Sequence, residues 1–271
     1  MTASQQHRRE DLAGRAILIT GAGDGLGRAY ALDIARHGAS VLVNDVDGDS
    51  AHRVVEEIRA AGGVAQADVR PIGTAETGEG AVDACVQAFG AIDGLITNAG
   101  IFSQALPWDL PPERVEAIVR VNLLGVIHNG VAALKRMRAA GRGVVVNIVS
   151  ASMFGLPEMS VYGATKGGVL SLTYAWAKAV DGTGVRIHGL SPFAVTAMNL
   201  QSTPDFLSVS KPEDVAPLAT YLLSDHTAHL NGRVVRLTAD KLHILEPAKF
   251  GPPLGERKVW DLESISAALA T

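Results

Sequence analysis

The turn Thr20-Gly-Ala-Gly-Asp-Gly-Leu-Gly27 limits what this chain can fold into more than any other segment. It follows the strand-like run Ala16-Ile-Leu-Ile-Thr20 and precedes a helical pattern that begins at Leu26. A glycine-rich turn between a strand and a helix presents backbone N–H groups at the positive helix end, a setting suited to a pyrophosphate. The spacing is Gly21-x-x-x-Gly25-x-Gly27, and Leu26 and Arg28 stand where the third glycine of a G-x-G-x-x-G turn would fall. Glycines alone would serve equally in a tight loop needing positive φ. The strand–turn–helix context favours the cofactor reading.

Beyond the turn, short apolar runs alternate with helical patterns. Strands read at 16–20, 40–45, 64–68, 94–98, 143–149, 185–190 and 234–237, with helices at 26–37, 49–61, 75–89, 112–140, 160–180 and 211–223. Strands separated by single helices predict right-handed βαβ units and a parallel sheet covered on both faces. The unbroken run Val144-Val-Val-Asn-Ile-Val149 marks a central strand. The expected architecture is therefore α/β, a doubly wound, seven-stranded parallel sheet in a single domain. A flexible arm is expected over 1–12, the catalytic domain over 13–245 and a C-terminal extension over 246–271. Ser210-Lys-Pro-Glu213 reads as a capping box opening the last helix, which Pro217 should kink.

Chemistry concentrates in Ser160-Val-Tyr-Gly-Ala-Thr-Lys166, where Tyr162 and Lys166 share one helix face at i and i+4. A free phenol titrates near ~10, and a fixed cation beside it stabilises the phenolate and lowers that value. Ser150 lies upstream at the end of the apolar strand. Asn122 is an amide in an otherwise apolar helix.

Together Thr20-Gly21-x-x-x-Gly25-x-Gly27, Asn98-Ala99-Gly100, Asn122, Ser150 and Tyr162-x-x-x-Lys166 resemble the short-chain dehydrogenase/reductase family over roughly residues 12 to 240. The stretches Gly25-Leu-Gly-Arg-Ala-Tyr-Ala-Leu32 and Lys211-Pro-Glu-Asp-Val-Ala-Pro217 look particularly like the dehydrogenase domain of peroxisomal multifunctional enzymes. The resemblance implies a Rossmann-type fold and hydride transfer between a secondary alcohol or ketone and a nicotinamide. Tyr162 is then the acid/base. Lys166 tunes it and holds a ribose hydroxyl, Ser150 binds the substrate oxygen, and Asn122 holds a relay water. Ser152-Met-Phe-Gly155 also matches the family's Ser-x-x-Gly pattern, so Ser152 competes with Ser150, which the spacing from Asn147 and Tyr162 favours. Cofactor contacts fall to Gly21, Asp24, Gly25, Leu26, Gly27, Asp45, Asp68, Val69, Asn98, Ala99, Gly100, Tyr162, Lys166 and Thr196. Relatives pair the helices at 112–140 and 160–180 across a two-fold axis, so a homotetramer or homodimer is expected.

Asp45 ends the second strand, where a carboxylate accepts hydrogen bonds from an adenosine ribose and repels a 2′-phosphate. No Arg or Lys follows in Asn44-Asp-Val-Asp-Gly-Asp49, so NAD is favoured over NADP. Two departures from the family pattern stand out: Phe193 replaces a glycine after Pro192, and Leu237-Thr-Ala-Asp-Lys241 replaces an Asp-Gly-Gly turn. Met153, Phe154, Leu156, Met159, Phe193, Met198 and Leu200 flank the expected cleft and point to an apolar or acyl-linked substrate, or else belong to the core.

Composition excludes other classes. Across 271 residues, 47% hydrophobic and 19% charged content with a net charge of −4 describes a globular protein without a nucleic-acid-binding basic stripe. The single cysteine, Cys85, suits a reducing compartment, and no secretory leader or run of about eighteen apolar residues is read, so a cytoplasmic protein with no membrane span is expected. No metal-ligand constellation is present in the sequence; His226 and His229 read as loop histidines. The competing class is a binding protein that kept the nucleotide fold but lost turnover.

Overall fold

The computed structural model of the chain describes residues 11–194, 210–238 and 241–270. Strands β1 (Ala16–Thr20), β2 (Ser40–Asn44), β3 (Val64–Asp68), β4 (Gly94–Thr97), β5 (Gly143–Ile148), β6 (Val185–Phe193) and β7 (Arg233–Thr238) are parallel, in the order β3-β2-β1-β4-β5-β6-β7. The order reverses between β1 and β4, which opens a crevice at the carboxyl ends of the strands, the usual place for a ligand in such sheets.

One element exceeds the expectation. An eighth strand, β8 (Lys241–Ile244), pairs antiparallel with β7, Thr238 facing Lys241, so the sheet is not purely parallel. Lys-Leu-His-Ile does alternate polar and apolar residues, but its side chains are all exposed, so it carries no burial signal of the kind that marks the central strands.

Helices cover both faces. Helices α1 (Gly25–Arg36), α2 (Gly48–Ala60) and α7 (Pro212–Leu223) close one apolar core around Ile17, Ile19, Val41, Val43 and Val146. Helices α3 (Ala75–Phe89), α5 (Gly125–Ala140) and α6 (Ser160–Ala179) close the other around Leu18, Leu42, Leu95, Val145 and Ile187. Cys85 is buried there, and desolvation together with the charge of Asp93 pushes its thiol up to about 12.

The expected helix over 112–140 is interrupted: α4 (Pro112–Val119) passes into a π-helical turn, Arg120–Leu124, before α5 begins. By length and composition the 29-residue stretch contains an eighteen-residue window, mean hydropathy 1.5, of the kind that can cross a membrane, a test that the core helix of a folded domain also passes. Here its Ile118, Val126, Ala133 and Met137 are core residues of the folded chain.

Helix α7 is also capped differently from expectation. Its N-cap is Lys211, whose N–H donates to the Asp214 carboxylate at 2.8 Å, while Ser210 forms a β-bridge with Ala194. Pro217 lies inside α7 without ending it. A short helix, α8 (Leu262–Leu269), follows a largely exposed segment.

Candidate active site

The glycine turn is shaped by contacts that leave no room for side chains. Gly21 and Gly25 adopt left-handed backbone at φ 63° and 54°. A methyl at Gly27 would lie 2.0 Å from the Gly21 carbonyl oxygen, and one at Gly21 would lie 2.6 Å from Ala99 Cα. Asn98 locks the turn from the neighbouring strand end: its Nδ2 donates to the carbonyls of Thr20 and Gly21 at 3.1 and 2.8 Å. The N–H groups of Asn98 and Ala99 donate to Thr20 Oγ1 at 3.1 and 3.2 Å. The amino end of α1 is thus held at the crevice with Asp24 as an N-cap whose side chain makes no capping bond.

Asp45 belongs to the same assembly. One carboxylate oxygen accepts the Gly23 N–H at 2.8 Å and the other accepts the Asp47 N–H at 3.0 Å. The nearby cation Arg28 is already engaged by Glu57, with Glu213 at 3.9 Å, and the Glu57 bond holds its pKa above the usual value. Asp68 is buried, accepting from Asn44 Nδ2 at 2.8 Å and from Arg70 Nε at 2.6 Å, so its carboxylate latches two strand ends together. Val69 beside it is exposed.

Tyr162 and Lys166 stand on the first turns of α6. Lys166 is only 2% exposed; its Nζ donates to the Ile148 carbonyl at 2.8 Å and lies 5.7 Å from the centre of the Tyr162 ring. Burial pulls the lysine down from 10.5 to about 8. Tyr162 is hydrogen-bonded to the Ser150 side chain, and Phe102 meets its ring edge-on at 5.6 Å. Burial raises the phenol pKa and the Ser150 bond offsets part of that rise. The lowering by Lys166 that the sequence implies is therefore not the dominant effect here.

The structure separates the two candidate serines. Ser150 Oγ accepts the Ser152 N–H at 3.2 Å and reaches Tyr162, whereas the Ser152 hydroxyl is buried with no hydrogen-bond partner among the described residues. Asn122 sits fully buried in the π turn, exchanging two bonds of 2.8 Å with the N–H and carbonyl of Ile101. That clamp fixes the segment running from Gly100 to Phe102.

Ser150, Tyr162, Lys166, Asn122, the glycine turn, Asn98, Ala99 and Gly100 all gather at the carboxyl ends of β1, β4 and β5. Thr196, Met198 and Leu200 lie outside the described residues. Three contributors were not read from the sequence. Phe102 touches the phenol, Gly163 lets α6 approach the Ser152 backbone, and Asn147 anchors α6 by donating to Thr173 Oγ1 at 3.0 Å. A glycine one residue after Tyr162 was the available signal for the second; a single ring or amide in an apolar run carries none.

Comparison with known proteins agrees with this geometry. A family model described as short chain dehydrogenase matches residues 15–206. The 3-oxoacyl-(acyl-carrier-protein) reductase FabG of Thermotoga maritima is 30% identical over 83% of this chain and 96% of its own length. Mouse peroxisomal multifunctional enzyme type 2 is 36% identical over 77% of this chain, a match spanning 30% of that protein. A crystal structure of a short chain dehydrogenase from Mycobacterium avium superposes with a TM-score of 0.87 at 31% identity, covering 95% of this chain and 94% of that one.

Proposed function

The chain belongs to the short-chain dehydrogenase family, and from that premise we propose that it interconverts a secondary alcohol and a ketone, with NAD as its cofactor, on an apolar or acyl-linked substrate. The observation that carries the reading is the Ser150–Tyr162–Lys166 arrangement, a hydrogen-bonded hydroxyl pair beside a buried ammonium.

The family binds nicotinamide cofactors, and the glycine turn fits one: backbone lines a cradle at Gly21 and Gly27 that a single methyl would fill. Asp45 supports NAD over NADP, since its carboxylate faces the turn while Arg28, the cation that could accept a 2′-phosphate, is held by Glu57. The nicotinamide, when bound, supplies or accepts the hydride.

The chain's own residues handle the proton. In the reductive direction Tyr162 gives its hydroxyl proton to the substrate oxygen; in the oxidative direction it takes that proton back. Ser150 Oγ accepts the Ser152 N–H and its hydroxyl is directed at the phenol, so a substrate oxygen meeting Tyr162 takes over the hydrogen that Ser150 gives to Tyr162. Lys166, weakened to about 8, is poised to exchange a proton near neutrality while one of its N–H groups stays on Ile148. Asn122 holds the Ile101 backbone, and with it Phe102, beside the phenol, and the family resemblance gives it the further task of holding a relay water.

The test follows reduced-cofactor absorbance over secondary alcohols, ketones and hydroxyacyl thioesters, with NAD and NADP in parallel. Turnover with NAD preferred is the expected result. Tight NAD binding without turnover of any of these compounds would overturn it in favour of a binding role.

A further inference from the structure

Among the described residues no carboxylate pairs with Arg236, although the side chain is half buried at the carboxyl end of β7. Its Nη1 donates to Ser191 Oγ at 2.9 Å, and its guanidinium carbon lies 5.3 Å from the centre of the Phe193 ring. The group borders a cavity of about 270 Å³ whose walls include Met153, Phe154, Ser191, His243 and Leu245. Burial without a counter-charge pulls the arginine below its usual pKa. A charge kept in an apolar wall is costly unless something pairs with it.

The strand register places this cavity beside the reacting groups. Ser191 pairs with Arg236 across β6 and β7, and His243 faces Arg236 across β7 and β8, so the three side chains project from one face of the sheet. Ile148, two residues before Ser150, pairs with Leu190, the neighbour of Ser191. Arg236 therefore stands two strands from the end of β5, about 10 Å across the sheet. Met153 and Phe154 belong to the 3₁₀ turn that begins directly after Ser150, so the apolar wall runs from the serine towards the guanidinium.

We propose that this cavity is a carboxylate subsite, in which Arg236, with Ser191 and His243, holds the far end of an oxo- or hydroxy-carboxylic acid whose reacting carbon lies at Ser150 and Tyr162. Several methylenes along Met153 and Phe154 connect the two ends. Arginine suits the task because its fork takes a carboxylate through two parallel hydrogen bonds. The reacting end of the proposal rests on the dehydrogenase reading above; the carboxylate end stands on Arg236 alone.

Two measurements keep those parts distinguishable. The first compares kcat/KM for levulinate and longer methyl ketones ending in a carboxylate with that for their methyl esters, in the wild type, Arg236→Gln and Arg236→Lys. The wild type should favour the acids. Arg236→Gln should erase that preference through a KM for the acid raised about 10- to 100-fold, with ester turnover unchanged. Arg236→Lys should retain part of the preference, and a misfolded variant would betray itself by losing the ester as well. Equal acid-to-ester ratios in the wild type and Arg236→Gln would overturn the subsite. The second measures hexanoate binding to the purified protein by calorimetry and needs no turnover. Binding weakened at least about tenfold in Arg236→Gln supports the subsite even if no ketone is reduced, and equal binding overturns it.

Discussion

Gly163 lies against the backbone of Ser152 so closely that a methyl at position 163 would sit 2.5 Å from the Ser152 carbonyl oxygen. The contact seats α6 on the turn that starts after Ser150, and Tyr162 is the residue immediately before it. Gly163→Val should push helix and turn apart, costing about 1–3 kcal/mol of stability as overpacked sites do. Turnover should fall further than stability explains, because the Ser150–Tyr162 hydrogen bond spans the same seam. Denaturant melts paired with steady-state kinetics would read both; wild-type values in each would refute the seating role.

Removing only the phenolic oxygen isolates the proton donor. Tyr162→Phe keeps the ring that Phe102 packs against, so the local fold should survive. Turnover is expected to drop about 10²- to 10⁴-fold while NAD affinity, measured by fluorescence titration, stays at the wild-type value. A variant that retains full turnover would show that another group moves the proton.

The buried lysine predicts a pH dependence of stability with a definite sign. Lys166 titrates at about 8 in the folded chain against 10.5 as its ordinary value. Between those limits the unfolded chain binds more protons than the folded one, so this residue makes stability rise with pH across the window. Below about 8 both states are charged and the full cost of burial is felt; above 10.5 neither is, and the cost is gone. The shift corresponds to about 3 kcal/mol. Lys166→Met should remove this component, so the stability difference between variant and wild type should narrow as pH climbs. A difference that stays flat in denaturant titrations would contradict it.

The sequence and the structure agree best where one physical signal dominates. β1 begins and ends at the residues that the apolar run marks, because a strand buried in a parallel sheet writes its burial directly into composition. Tyr162 and Lys166 were legible because helix geometry alone puts i and i+4 on one face. The break at Arg120–Leu124 was not, since the clamp between Asn122 and the Ile101 backbone joins positions 21 residues apart. β8 and the Arg236 cavity escaped for a related reason. Both depend on which strand lies beside which, and an exposed edge strand offers no burial pattern to read.

Cofactor preference should turn on Asp45. Asp45→Ala removes the repulsion of a 2′-phosphate and, at the same time, the acceptor for the Gly23 N–H. The ratio of kcat/KM for NADP over NAD should therefore rise on the order of tenfold, the worth of roughly one polar interaction. NAD affinity should weaken as well, because the turn loses a tether. An unchanged ratio would place the discrimination elsewhere.

Association is the last expectation, and the folded chain sharpens it. Ile118, Val126 and Val169, on the long apolar faces of these helices, are buried within the single chain. The surface still carries Leu124 and Val131 at 38% and 40% exposure on the helical face, and Leu242 and Ile244 at 62% and 58% on the edge strand. An edge strand bearing large apolar side chains is open to pairing with a second copy, and soluble monomers rarely leave such surface uncovered. Light scattering at micromolar concentration should give a mass of at least twice 28.3 kDa. Leu124→Glu with Val131→Glu, and separately Leu242→Glu with Ile244→Glu, should each lower that mass if both faces are used. If only one pair dissociates the assembly, that face is the interface. A wild-type chain that scatters as a monomer would refute association altogether.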